Sequence, residues 1–183
     1  MNPKTRLSIP MPRVDFWNHL VVNEISGPDM TSGQGNHVTV VDARPLMPSG
    51  VEDLLDASRS EGIGNISKLV RQWNDGMELF DGVGETLLMV RIGGANVGVG
   101  GLLHCKDVPG ALRVSRFYVL PTCRRQGVAT VLATEVLRMS ERFADRVTCN
   151  AQASACAGQF WETLGFVPVP RVGVTHIRDA APC

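Results

Sequence analysis

The chain has 183 residues, 44% hydrophobic and 20% charged, which suits one soluble domain with room for a real core. Lys plus Arg and Asp plus Glu are 18 each, so no net basicity argues for a nucleic-acid partner. No apolar stretch follows Lys4 and Arg6 as in a secretion signal, and no run reaches membrane-spanning length, so the expected compartment is the cytoplasm. The five cysteines have no C-x-x-C spacing and the four histidines are scattered, so no metal site is expected and the cysteines read as small apolar residues in a reducing compartment.

Residues 1–36, with Pro3, Pro10, Pro12, Pro28 and a Gly- and Ser-bearing stretch, read as an arm. Within it Val14 to Ile25 is apolar enough to dock, with Phe16 and Trp17 as anchors. Residues 37–183 read as a single domain. His37 to Asp42 has strand character, and Ser49 with Glu52 has capping-box spacing for a short helix. After the Gly62-Ile-Gly64 break, Ile66, Leu69, Val70, Trp73, Met77 and Phe80 fall at helical spacing and read as core.

Two strands follow, Glu85 to Ile92 and Val97 to Cys105, joined at Gly93-Gly94-Ala95-Asn96. The glycines at 98, 100 and 101 suggest a bulge, or another backbone or ligand pressing close. A fourth strand, Val114 to Leu120, stops at Pro121, which cannot donate to a ladder. A basic loop with Arg124 and Arg125 leads through Gly127 into a helix whose face is Val128, Leu132, Val136, Met139 and Phe143. Arg146 to Asn150 reads as a fifth strand and Ser154 to Leu164 as a helix, with Gly165 at C′. Val167 to Val169 and Val172 to Arg178 complete the sheet.

Strand, basic glycine loop and helix together form a place to hold phosphate. The first helical N–H groups lack intrahelical partners, and the helix dipole adds positive potential there. A solvated connecting turn is the plainer alternative for the loop taken alone.

Three boxes then occur in order. Arg124-x-x-Gly127-x-Ala129 resembles the Q/R-x-x-G-x-G/A acyl-CoA signature of the GNAT superfamily of N-acyltransferases. Phe117 to Pro121 resembles that family's fourth strand, and Phe160-Trp161-Glu162-Thr163-Leu164-Gly165-Phe166 its F-Y-E-x-L-G-F box. The resemblance spans about residues 38 to 178. It implies an α/β (α+β) fold with a mixed, mostly antiparallel sheet, helices on both faces, and strands four and five splayed around the cofactor.

The resemblance also implies acetyl-CoA as acyl donor, no metal, and direct transfer to a primary amine. The pyrophosphate is expected on Arg124, Arg125, Gln126, Gly127, Val128, Ala129 and Thr130, and the pantetheine along Tyr118, Val119 and Leu120. Where relatives often carry an asparagine, this chain has Ser154, which offers a hydroxyl to the cofactor or caps the helix. Where relatives carry a general-acid tyrosine, this chain has Trp161, whose N–H does not titrate usefully.

Glu85, after a Gly-x-Gly turn, is the candidate catalytic base; a solvated strand end is the alternative. His104 and His176 also lie on strands. Arg113 and Arg116 favour an acceptor bearing a carboxylate or phosphate, but strand alternation puts them on opposite faces, so that at most one faces the cleft. The expected function is small-molecule N-acetylation, with a protein or peptide acceptor, a non-catalytic acyl-CoA sensor or an unrelated nucleotide binder as alternatives. A homodimer is the default assembly.

Overall fold

The computed structural model describes residues 38–44, 47, 49–152, 154 and 156–180. The expected N-terminal arm, residues 1–36, lies outside the described residues, as does His37. Seven strands form one open sheet: β1 (Val38–Asp42), β2 (Thr86–Ile92), β3 (Ala95–His104), β4 (Leu112–Val119), β5 (Arg146–Cys149), β6 (Val167–Arg171) and β7 (Val174–Asp179). Their spatial order is β1-β2-β3-β4-β5-β7-β6, antiparallel throughout except for β4 against β5. The mixed, mostly antiparallel α/β fold expected from the sequence is the fold observed.

Alternation along the strands feeds two cores. Leu88 and Val90 face α3 (Val128–Ser140), which contributes Val128, Leu132, Ala133 and Val136. Leu87 and Met89 face the other way, onto α1 (Val51–Ser60) and α2 (Asn65–Asn74), through Leu54, Ile66 and Leu69. The short α4 (Ala157–Thr163) brings Trp161 to the α3 side. It ends in a Schellman arrangement: Gly165 takes φ 85°, its N–H bonds Glu162 O, and Phe166 N–H bonds Trp161 O. The accompanying apolar contact is Phe166 on Trp161, with ring centroids 5.2 Å apart.

Several boundaries differ from the sequence reading. The stripe from Ile66 to Phe80 is not one helix, because α2 stops at Asn74 and Gly76 turns at φ 65°. Phe80 is fully buried as expected but sits in the following loop, while Met77 is exposed. Phe143 lies past the end of α3 and is nearly half exposed, over Gly84. The capping box is half formed: Glu52 accepts the Gly50 N–H at 3.0 Å, but the cap is Gly50, without a side-chain bond from Ser49.

The glycines of β3 accommodate the protein's own side chains. A Cβ on Gly100 would meet the Phe117 ring at 2.7 Å, and one on Gly101 would meet Phe80 at 2.6 Å and the Thr86 carbonyl at 2.7 Å. Across from them β4 carries a bulge. Val99 pairs with Tyr118 and Gly101 with Ser115, so Gly100 faces both Arg116 and Phe117, and Arg116 takes φ 57°.

Candidate functional site

β4 and β5 pair only at Leu112–Val147 and Arg113–Thr148 and then part. The parting opens a cleft of about 800 Å³, walled by β4, the 124–130 loop, the start of α2 and the aromatic face of α4. Of the expected cofactor residues, Tyr118, Val119, Arg124, Arg125, Gly127, Ala129, Thr130, Ser154 and Trp161 line it. Leu120, Gln126 and Val128 do not: Leu120 N–H bonds Val97 O at 2.9 Å, Gln126 Nε2 donates to Thr122 O, and the Val128 side chain is buried in the core.

The Leu120–Val97 bond fixes which backbone groups face the cleft. Backbone direction alternates along a strand, so the N–H and C=O of Val119 point away from β3 toward the open edge. Arg124 Nε takes the Val119 carbonyl at 2.9 Å, which leaves the Val119 N–H as that residue's edge donor. Beyond Pro121 the loop winds through positive φ at Arg125 (63°) and Gly127 (80°). α3 therefore begins with no side-chain cap and no acidic residue in its first turn. Its unpaired N–H groups open on the cleft, and a Cβ on Gly127 would meet nothing within 4 Å.

Arg124 is tied across the cleft mouth. Its Nη1 and Nη2 reach Glu61 Oε1 and Oε2, both at 2.6 Å, from the residue that ends α1. Tyr118 Oη donates to the same carboxylate at 2.5 Å, and the guanidinium lies 5.4 Å from the Tyr118 ring centre. Arg124 first, then Tyr118, holds the Glu61 carboxyl below its ordinary range. Burial, then Glu61, pushes Tyr118 well above the usual tyrosine range, so the only tyrosine stays neutral. Sequence reasoning missed Glu61 entirely: it is an ordinary polar residue at a helix end, paired with a group 63 residues away.

Trp161 is packed edge-on against Phe117, Phe160 and Phe166 and forms an apolar wall that contains no titratable group. Ser154 is exposed at the cleft; the cap of α4 is Cys156, so Ser154 does not cap the helix. Glu85 is placed elsewhere. Its carboxylate accepts the Gly82 N–H at 3.2 Å and the His104 N–H at 3.0 Å, stapling the β2 entry to the end of β3, and it is not among the lining residues. His176 lies behind α4, between Thr175 and Glu162, and His104 is exposed at the end of β3.

Arg113 and Arg116 both line the cleft, contrary to simple alternation. The extra residue of the bulge falls at Arg116–Phe117, opposite Gly100, and Arg116 itself, at φ 57°, breaks the alternation. Arg113, opposite Leu103, and Arg116, which reaches Gln72, thereby end on the same α1–α2 side. Asn65, at the start of α2, donates Nδ2 to Phe117 O at 2.8 Å and fixes that helix to the bulge. Among the described residues lining the cleft are four arginines and no Asp or Glu.

Residues 56–177 match the family described as the acetyltransferase (GNAT) domain. The chain belongs to the GNAT acetyltransferase family. Solved structures agree on its fold. A candidate acetyltransferase of Exiguobacterium sp. 255-15 superposes with a TM-score of 0.71 at 24% identity, covering 78% of this chain and 93% of that one. The PaiA N-acetyltransferase of Thermoplasma acidophilum, solved with coenzyme A, gives 0.58 at 14% identity, covering 78% and 98%. PH1933 of Pyrococcus horikoshii gives 0.61 at 17%, covering 79% and 99%. No curated protein matches this GNAT chain. Among the described residues no group of His, Cys, Asp and Glu could hold a metal, and no helix is long and apolar enough to cross a membrane.

Proposed function

We propose that this GNAT protein transfers an acetyl group from acetyl-CoA directly to a primary amine of a small molecule. The observation that carries the reading is the uncapped α3 N-terminus opening on the same cleft as the Val119 N–H. The fit to CoA is chemical. Phosphates need N–H donors and cations, which the first turn of α3 and Arg125 offer, and the open space at Gly127 lets a ligand approach the backbone. A chain of amides suits the exposed edge of β4. The donor supplies an acetyl thioester, which a neutral amine converts to an amide and a thiol.

The protein's part is to hold, orient and exclude. The Val119 N–H would steady charge developing on the thioester carbonyl oxygen. The Phe117–Phe160–Trp161 wall keeps water from one side of the cleft. With no carboxylate among the described lining residues and Glu85 engaged at His104, the amine loses its proton to solvent, and water reprotonates the thiolate, a fair leaving group with thiol pKa about 8.5. Such a site gains its rate from orientation rather than from acid–base groups. Trp161 favours a second reading, acyl-CoA binding without transfer.

Thermal denaturation with acetyl-CoA, CoA and ATP tests the reading. A ligand at about a hundred times Kd adds about 2.7 kcal/mol, which raises Tm by about 5–11 °C for a chain of this size. Both CoA species should shift the wild type and neither should shift Gly127→Trp, with thiol release on adding amines separating transfer from mere binding. No shift with either CoA species would refute both readings.

A further inference from the structure

Resting on the acetyltransferase reading, the geometry points to an acceptor class: we propose that the amine substrate carries its own anionic group, a carboxylate or phosphate, held by Arg113 and Arg116. The cleft has two cationic ends. Arg124 and Arg125 lie at the α3 end, where the donor's phosphates belong, while Arg113 and Arg116 lie on β4, on the α1–α2 side. The carboxylates that pair with this second couple, Asp107 and Glu78, are outside the lining, so the guanidiniums are the charged groups that this part of β4 brings to the cleft. An anion that enters the cleft meets guanidinium N–H groups there, the donors that suit carboxylate and phosphate.

The hydrogen bonds point the same way. The Arg116 side chain is nine-tenths buried, bonded through Nη2 to Gln72 and Glu78, yet its Nε–H has no partner. Beside it, Asn65 spends its Nδ2 on Phe117 O and leaves a buried Oδ1 without a donor. A buried donor or acceptor left unpaired costs about 1–3 kcal/mol. Both atoms belong to residues that line the cleft, and a cationic donor with a neutral acceptor suits a molecule that bears both an anion and an amine N–H. A diamine finds no carboxylate among the described lining residues to receive its second charge.

The test is binding to the protein saturated with CoA, read by calorimetry, so that turnover is not required. Paired probes differ only in the anion: α-amino acids against their methyl esters, and phosphoethanolamine against ethanolamine, with cadaverine beside them. The expected result is that at least one anionic probe binds about tenfold or more tightly than its uncharged partner, the scale of one charge-assisted hydrogen bond. Whichever pair shows the difference identifies the anion. Arg113→Gln and Arg116→Lys should each erase the preference while CoA binding persists; Arg113 is the more exposed and serves if the Arg116 variant fails to fold. Equal or tighter binding of esters, ethanolamine or cadaverine, or no binding by any probe, overturns the inference. CoA binding in the same cell tells whether the acetyltransferase reading survives it.

Discussion

Replacing Glu61 by Gln tests the ionic network that joins the 124–130 loop to the C-terminal end of α1. The substitution keeps the shape and removes the charge that receives Arg124 at two points and Tyr118 at a third. Hydrogen bonds to a charged group contribute about 1.5–3 kcal/mol when shielded. Here the Arg124 side chain is 38% exposed and that of Glu61 28%, so solvent screening reduces the expected loss to about 1–2 kcal/mol. For a chain of this size that lowers Tm by about 2–8 °C at pH 7.

The pH dependence carries the sharper information. Because Arg124, then Tyr118, depresses the Glu61 pKa in the folded state, its contribution is present above the unfolded glutamate value, about 4.3, and disappears as pH falls through the folded value. Thermal melts from pH 7 downward should therefore show wild type and Glu61→Gln converging once the pH is well below 4, as the native carboxyl becomes protonated. A constant gap at every pH would mean that the loss is steric. No gap at pH 7 would mean that the network contributes nothing to folding.

Two other outcomes follow from packing and burial. Gly101→Ala forces a Cβ to within 2.7 Å of the Thr86 backbone and should cost about 3 kcal/mol, at the upper end for overpacking, seen as a lower urea midpoint. An unchanged midpoint would refute the close approach. Burial pushes the Cys149 thiol up to about 12, whereas Cys156 is exposed, so an alkylating reagent at pH 8 should label Cys156 and spare Cys149 in the native protein. Equal labelling by mass spectrometry would place Cys149 in contact with solvent.

Pro121, Gly127 and Gly165 marked in advance where β4 ends, where α3 begins and where α4 closes, because each acts through its own backbone stereochemistry. Glu85 to Ile92 likewise read as a strand, and the 124–129 motif pointed to the loop that now lines the cleft. Such signals are local, so one chain of letters carries them. The bulge at Arg116 is different: it exists because β3 offers a single glycine opposite two residues of β4, and it alone puts Arg113 and Arg116 on one side. Glu61 meets Arg124 only after two segments 63 residues apart come together, and Glu85 meets His104 across 19. The sequence by itself determined the order of elements and the place of the loop; which charges face the cleft, and which are spent holding the fold, was decided by pairings between distant segments that no local pattern encodes.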